Sequence, residues 1–311
     1  MKLKKPIFWD NQKLSFWSII LFPFSIMYLL SVWIIRQISL LKAFKKPPIP
    51  VICIGNIYLG GTGKTPLARE IFKITKSLGK NPAFIKKYHD YLIDEIKMLD
   101  DTGKIFTGHN RLESIFLSFS ENYDVAIMDD GFQDHTIRPN FSVLCFNSKQ
   151  MIGNGLLIPS GPLREKIQSI LRSNCIMING IKNLEFEKKL HKIIGNRNIF
   201  IFYSKYKIKN IEKFRNKEIT AFAGIGNPSN FFDLLKENNL DIKKTYSFPD
   251  HHHYKEEDFK KIINDKSTQI ITTEKDFYRL NEAQKQSCDY VEVELEIENV
   301  EDFKKMIKSC I

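Results

Sequence analysis

The stretch Val51-Ile-Cys-Ile-Gly55-Asn56-Ile-Tyr58-Leu-Gly60-Gly61-Thr62-Gly63-Lys64-Thr65-Pro66 decides how the rest of the chain is read. Val51 to Ile54 is an apolar, β-branched run of the length of a buried strand. It breaks into a glycine-rich turn. Lys64-Thr65 then opens a segment with apolar residues at Leu67, Ala68, Ile71 and Ile74, the spacing of an amphipathic helix. Strand, glycine loop and helix in that order form the context of a phosphate-binding loop. Gly60, Gly61, Thr62 and Gly63 let backbone N–H groups crowd around phosphate oxygens, and the helix N-terminus adds partial positive charge. In such a loop Lys64 reaches the β- and γ-phosphates and the Thr65 hydroxyl ligates Mg²⁺. The full pattern G-x-x-x-x-G-K-[ST] asks for glycine where this chain has Tyr58.

The 311 residues suffice for one large or two moderate domains with real cores, and 43% hydrophobic content is ordinary for a globular protein. The formal charge is +11, from 47 Lys+Arg against 36 Asp+Glu. That balance suits nucleic acid, anionic lipid or a phosphorylated substrate, and charge alone does not choose among them. Cys53, Cys145, Cys175, Cys288 and Cys310 are scattered with no C-x-x-C spacing. Reduced, mostly buried thiols are expected, rather than a zinc site or a disulfide framework.

No charged residue occurs from Leu14 to Ile35. As a helix the stretch is roughly 33 Å long, enough to cross a bilayer core. No small-residue cleavage site follows, and the next segment is basic, which argues against a signal peptide. A span, a helix lying in one leaflet and a buried core helix remain, the last disfavoured by the length and the aromatics all round. Both flanks are basic: Lys2, Lys4, Lys5 and Lys13 before, Arg36, Lys42, Lys45 and Lys46 after. A single span that kept the nucleotide site in the cytosol would export four lysines, against the positive-inside tendency. Pro23 is expected to interrupt the helix. Residues 1–46 therefore read as a monotopic anchor lying on anionic head groups.

Pro47-Pro48-Ile-Pro50 is a stiff linker into the first strand. Further strands are expected at Pro82 to Ile85, Lys104 to Thr107, Tyr123 to Asp129, Phe141 to Phe146 and Cys175 to Asn179. Helices are expected at Arg111 to Phe119 and Leu163 to Arg172, and an acidic turn holds Asp94 and Glu95. An apolar strand ending in Asp129-Asp130-Gly131 is how a phosphate-loop protein presents its second Mg²⁺ contact. The alternation predicts a doubly wound, mostly parallel α/β sheet over residues 47–206, with ligands off the carboxyl ends of its strands. Residues 207–217 are charged and read as a linker. Residues 218–311 read as a second, smaller α/β domain, with strands at Thr245 to Phe248 and Gln269 to Thr273 and a helix at Glu256 to Asn264. Gly224-Ile-Gly226-Asn-Pro228 is better read as a strand-to-helix turn than as a dinucleotide fingerprint.

Gly60-Gly-Thr-Gly-Lys-Thr-Pro66, Asp129-Asp-Gly-Phe-Gln133 and Gly153-Asn-Gly-Leu-Leu-Ile-Pro-Ser-Gly-Pro-Leu-Arg-Glu165 occur in this order. Gly224-Ile-Gly-Asn-Pro228, Phe248-Pro-Asp-His251 and Thr273-Glu-Lys-Asp276 follow. With these six motifs in register over nearly the whole chain, the sequence resembles the lipid A disaccharide 4′-kinase family. The resemblance implies transfer of the γ-phosphate of ATP to the 4′-hydroxyl of a tetraacyl, 1-phosphorylated glucosamine disaccharide at the cytoplasmic face of the bacterial inner membrane. It also implies two α/β/α domains joined by a thin β linker, with the active site in the cleft between them. The implied catalytic pair is Asp94 and His251, joined by Lys64, Asp129 and Arg164. Thr65, Asp129, Asp130 and Glu165 are implied for Mg²⁺, while Lys64, Arg111, Gln133 and Arg164 neutralise or position phosphate oxygens.

The chain departs from the family pattern in places. Ile85-Lys86-Lys87-Tyr88-His89 stands for Ser-Arg-Gly-Tyr-Gly, Ile96 replaces the proline of D-E-P, and Tyr58 stands where a small hydroxyl residue is usual. The residues by themselves leave bland readings open: Asp94 as a solvated turn carboxylate, His251-His252-His253 as solvated imidazoles, Asp130 as a strand-end cap. The competing functional classes are a membrane-bound phosphate-loop ATPase acting as a switch or transport subunit, and an anchored nucleic-acid-binding module. The guanine-reading N-K-x-D pattern is absent, and no stacking platform supports the nucleic-acid class. Nothing in the sequence implies an obligate protein partner.

Overall fold

The computed structural model of the protein describes residues 5–11, 13–41, 46–263 and 268–311; the expectations placed on Lys2, Lys4, Lys42, Lys45 and Asn264 lie outside them. Among the described residues the strands are β1 Val51–Gly55, β2 Pro82–Lys87, β3 Ile105–Gly108, β4 Val125–Asp129, β5 Phe141–Asn147, β6 Cys175–Asn179, β7 Phe200–Ile208, β8 Glu218–Ala223, β9 Asp241–Ser247, β10 Gln269–Thr273, β11 Asp289–Val291 and β12 Val293–Ile297. The helices are α1 Phe16–Leu41, α2 Lys64–Ser77, α3 Ile93–Asp100, α4 Arg111–Ser120, α5 Leu184–Ile194, α6 Pro228–Glu237, α7 Glu256–Ile262, α8 Glu274–Phe277, α9 Glu282–Lys285 and α10 Val300–Lys308.

The chain forms two compact units. The described residues of the larger are 5–11, 13–41, 46–88, 102–205 and 296–311. Its sheet runs β12-β7-β6-β5-β1-β4-β2-β3, and every pairing from β7 to β3 is parallel. Strands β1, β4, β5 and β6 are buried throughout, the consequence of apolar runs covered on both faces. On α2 the predicted stripe Leu67, Ala68, Ile71 and Ile74 is buried. The doubly wound, mostly parallel sheet expected from the alternation is thus present.

The described residues of the smaller unit are 89–101, 206–263 and 268–295. Its sheet runs β11-β10-β8-β9, all parallel. Phe222, Phe232, Leu235 and Ile271 sit in its core. Gly224 to Asn227 is a strand-to-helix turn, with Pro228 opening α6.

Several expectations are corrected. The units are not two contiguous halves of the sequence: residues 89–101 group with the smaller unit, and residues 296–311 return to the larger. The return is explained by β12 and by Phe303 of α10, whose ring lies 6.2 Å from Phe141 and 5.3 Å from Phe202. Residues 207–217 are not a linker. Strand β7 continues to Ile208, and Phe214 is fully buried, because Ile208, Ile211 and Phe214 present one apolar side. Leu163 to Arg172 is not one helix: Leu163 makes β-bridges to Tyr58 and Leu157, and only Ile167–Arg172 coils, as a 3₁₀ helix. The acidic turn at Asp94 and Glu95 is the first turn of α3, where carboxylates complement the helix dipole. Strand β9 begins at Asp241, four residues before the expected start.

Helix α1 runs unbroken through Pro23. Ser18, Ser25 and Tyr28 tie it to the rest of the larger unit. Asn154 Nδ2 donates to Ser18 Oγ at 3.1 Å, Ser25 Oγ donates to Leu157 O at 2.9 Å, and Tyr28 Oη donates to Arg164 O at 3.0 Å. Trp17, Phe24 and Trp33 are 56–59% exposed. The Phe16–Ser39 segment is long and apolar enough to cross a membrane by length and composition. Its burial pattern is the reverse of a core helix, with Ser18 and Ser25 buried and Trp17, Phe24 and Trp33 outward.

Candidate functional site

In the larger unit the turn between β1 and α2 is held from within. Asn56 Nδ2 donates to Tyr58 O at 2.6 Å, Gly60 O at 3.2 Å and Thr62 Oγ1 at 3.0 Å, closing the loop on itself. Gly63 has φ of 89°, a left-handed conformation that glycine adopts without strain, and it turns the chain into α2. The segment 157–164 pairs with this loop along the backbone: Leu59 N donates to Pro162 O at 2.8 Å and Arg164 N to Ile57 O at 2.7 Å. That pairing brings Arg164, distant in sequence, to the phosphate loop. Tyr58 is wholly buried; its hydroxyl donates to Asp10 and accepts from Lys5 Nζ at 2.7 Å. The departure from glycine at this position ties the loop to the N-terminal segment.

Two clusters form beside the loop. At the end of β4, Asp129 Oδ2 accepts from Thr65 Oγ1 at 3.1 Å and from Lys86 Nζ at 2.5 Å. Asp129 Oδ1 is buried without a hydrogen-bond partner among the described residues. A buried carboxylate oxygen left without a donor, on the group whose other oxygen accepts from a threonine hydroxyl, fits an oxygen-seeking divalent cation. The next residue, Asp130, lies 3.9 Å from Lys64 Nζ and 3.1 Å from Arg164 Nη1. Burial would raise the Asp130 carboxyl, but Lys64, Arg164 and Lys86 override it and hold it down at about 2.

Gln133 links the remaining groups. Its Nε2 donates to Asn56 O at 2.8 Å and to Glu165 Oε1 at 3.2 Å, and its Oε1 accepts from Arg164 at 3.3 Å. Arg111 donates to Asp130 O at 2.8 Å and to Asp134 Oδ2 at 3.1 Å. Glu165 is engaged by Arg172 at 2.8 Å. Lys64, Thr65, Arg111, Asp129, Asp130, Gln133, Arg164 and Glu165 therefore meet in one polar region of the larger unit. Among the described residues no three His, Cys, Asp or Glu side chains gather as a metal-holding group, so Asp130 and Glu165 stand with arginines while Thr65 and Asp129 stand together.

Asp94 and His251 meet in the smaller unit. Asp94 is 3% exposed, which excludes a solvated turn carboxylate. Its Oδ2 lies 3.5 Å from His251 Nδ1 and accepts from Arg279 Nε at 2.7 Å and from Arg279 Nη2. Burial would raise the Asp94 carboxyl; hydrogen bonding to His251 and the charges of Lys275 and Arg279 hold it below the usual carboxylate range. His251 has φ of 55°, the left-handed region that non-glycine residues adopt uncommonly. His89 stacks on Tyr91, whose ring meets His251 edge-on at 5.8 Å. Ile96 lies inside α3, where the helix runs on. Lys87 pairs through its backbone with Gly108.

Sequence reasoning missed the structural importance of Asn56, Lys86, Arg172 and Arg279. Lys86 had a signal, as the basic residue in an otherwise altered motif. Arg279 sits three residues beyond Thr273-Glu-Lys-Asp276, on the next helical turn from Asp276.

The sequence profile of the tetraacyldisaccharide-1-P 4′-kinase family matches residues 17–90 and 90–311. The tetraacyldisaccharide 4′-kinase of Pelagibacter ubique (strain HTCC1062) is 40% identical over 315 aligned residues, covering 99% of this chain and 98% of that one. That of Colwellia psychrerythraea (strain 34H) is 30% identical, covering 79% and 78%. Among solved structures, LpxK from Aquifex aeolicus in complex with ATP superimposes with a TM-score of 0.73 at 21% identity, covering 94% of this chain and 99% of that one. The fold is shared at that distance, and the match of the family profile over nearly the full length establishes that the chain belongs to the tetraacyldisaccharide-1-P 4′-kinase family.

Proposed function

We infer that the protein is an ATP-dependent kinase that phosphorylates the 4′-hydroxyl of a tetraacyl glucosamine disaccharide 1-phosphate, a step of lipid A synthesis. The observation that carries the reading is the loop Gly60 to Thr65, with Lys64 beside Asp130 and Thr65 bonded to Asp129, in a chain of this family. Gly60, Gly61, Thr62 and Gly63 cradle the phosphates through backbone N–H groups. Lys64, Arg111, Gln133 and Arg164 spread charge over the transferring phosphoryl oxygens. Thr65 and Asp129 would hold Mg²⁺, while Asp130 and Glu165 are held in place by Arg164 and Arg172. Held there, the cation would supply positive charge to offset that of the phosphate oxygens.

Asp94 and His251 serve the acceptor. The sugar oxygen forms its bond to the γ-phosphorus as the bond from that phosphorus to the β,γ-bridging oxygen breaks. The hydroxyl proton passes to the pair, and ADP leaves with the bridging oxygen. Because Asp94 is held ionised by its cationic neighbours, it works by orienting the imidazole and balancing its charge, and His251 takes the proton.

Helix α1 supports adsorption to the cytoplasmic face of the bacterial inner membrane. Ser18, Ser25 and Tyr28 bind α1 to the protein over ten residues, roughly 15 Å of helix. A segment held along the protein surface by those bonds does not thread a bilayer, so α1 lies in one leaflet with its aromatics in lipid.

The test uses protein in mild detergent, γ-labelled ATP, Mg²⁺ and the tetraacyl disaccharide 1-phosphate. Label in the lipid that falls at least about 100-fold in Lys64→Ala and in His251→Ala supports the reading. Lys64-dependent ATP hydrolysis with no lipid labelling overturns it.

A further inference from the structure

Four stretches far apart in the sequence meet at one guanidinium in the smaller unit. Arg279 follows α8 and is 7% exposed. Its Nε and Nη2 hold Asp94 Oδ2. Its Nη1 donates to Gly224 O at 2.7 Å and to Asp276 Oδ1 at 3.0 Å. Its Nη2 also lies 3.2 Å from His251 Nδ1. The anchor behind the guanidinium is itself fixed. Asp276, fully buried, accepts from Gly224 N at 3.0 Å, Thr273 Oγ1 at 2.7 Å and Tyr254 Oη at 2.8 Å. Gly224 O accepts from Arg279 and also from His251 N at 3.1 Å, so one carbonyl sets the arginine and the strained histidine backbone together. A Cβ at Gly224 would fall 2.8 Å from Tyr254 Oη, which is why only glycine permits this approach.

We propose that Arg279 is the positioning residue of the Asp94–His251 pair, holding carboxylate and imidazole in one register while the ring gains and loses a proton; this rests on the reading of that pair as the acid–base group. The argument is one of donors and acceptors. A guanidinium only donates. When Nδ1 carries no proton, it accepts from Arg279 at 3.2 Å. When it carries one, that proton points to Asp94 Oδ2 at 3.5 Å. The ring therefore has a partner in either state without moving, one being the fork itself and the other the carboxylate oxygen that the fork holds. The charged groups facing Asp94 are Arg279 and Lys275 from the α8 segment, His251 from the loop after β9 and Glu95 beside it on α3. Lys275 Nζ is bonded to Glu95 at 2.8 Å and lies 3.5 Å from His251 Nε2, so it does not replace the fork at Nδ1.

The full-length enzyme in mild detergent is assayed for transfer of label from ATP to the tetraacyl disaccharide 1-phosphate as wild type, Arg279→Ala, Arg279→Lys and Asp94→Asn. Arg279→Ala is expected to lose about 100-fold in kcat with the KM for ATP within about twofold. Its acidic pH limb is expected to move to higher pH, since Asp94 loses a cation. Guanidinium at millimolar concentration is expected to restore part of kcat in Arg279→Ala and none in Asp94→Asn. Arg279→Lys is expected to recover little, because a point charge does not reproduce the fork; it carries the kcat and pH comparisons if Arg279→Ala does not fold. An unchanged kcat in folded Arg279 variants, with Asp94→Asn inactive, overturns the proposal alone. So does a loss that neither shifts the pH limb nor responds to guanidinium. Full transfer by Asp94→Asn overturns the underlying reading of the pair.

Discussion

Lys86 Nζ and Asp129 Oδ2 lie 2.5 Å apart, and neither side chain is more than 2% exposed. A cation and an anion buried this far are held by each other, and removing one leaves the other desolvated and unpaired. Lys86→Met is expected to lower stability by about 3–5 kcal/mol in urea unfolding followed by far-UV dichroism. Lys86→Arg, which restores the charge, is expected to recover part of that loss. Equal midpoints for wild type and Lys86→Met would show that the pair adds nothing.

Asp130 gives a pH prediction with a definite sign. Its folded carboxyl is held at about 2, below the ordinary value of 3.8, so the folded state binds the proton less readily than the unfolded chain. The resulting stability is present above the unfolded value and is lost as pH falls from about 4 through 2, on the order of 1–2 kcal/mol for this group. Between pH 5 and pH 2.5 the urea midpoint of wild type should fall further than that of Asp130→Asn. Parallel falls in the two proteins would remove Asp130 as a source.

The outward aromatics of α1 predict how it meets lipid. Replacing Trp17, Phe24 and Trp33 together by serine is expected to weaken partitioning to anionic vesicles at least about 100-fold. Ser25→Ala leaves the lipid-facing side intact and should not change partitioning, while loosening α1 from the segment at Leu157 and Ser160. Tags on both ends of the chain should be digested in inverted membrane vesicles. Protection of the N-terminal tag would mean a span.

Cys53, Cys145 and Cys175 are buried strand residues with thiols pushed up by desolvation, Cys53 to about 12. They should be silent to a thiolate-selective reagent at pH 8 in the native protein and react on unfolding in urea. Rapid native labelling at Cys53 would contradict the packing of β1.

The larger unit was legible because its signals are local. A buried run, a glycine loop and an amphipathic helix predict β1, the phosphate loop and α2 from contiguous residues, and Cys175–Asn179 and Gln269–Thr273 matched their strands residue for residue. What the sequence hid depends on distant pairing. Leu163 to Arg172 has helical composition, yet Leu163 is drawn into bridges with Tyr58 and Leu157, and tertiary pairing overrides local preference. Phe214 sits in a lysine-rich stretch whose charge conceals its burial. Pro23 promised a break that α1 does not make, since one missing N–H is tolerated within a long helix that Ser18, Ser25 and Tyr28 hold against the protein. Asp94 could be named only through the resemblance. What makes it more than a turn carboxylate is Arg279, 185 residues later, and no spacing rule connects the two.

The chain leaves the larger unit after Tyr88 and again after Lys205, and returns at Thr102 and at Glu296. During synthesis the phosphate loop therefore emerges long before its own sheet is complete. The edge strand β12 and the covering helix α10 follow the smaller unit in the chain, and most of that unit must be translated between β7 and them. The larger unit is thus assembled as a parenthesis that closes only after the smaller unit has been made. A truncation of even the last sixteen residues should leave a larger unit that exposes Phe141 and Phe202, prone to association although every phosphate-binding residue is present.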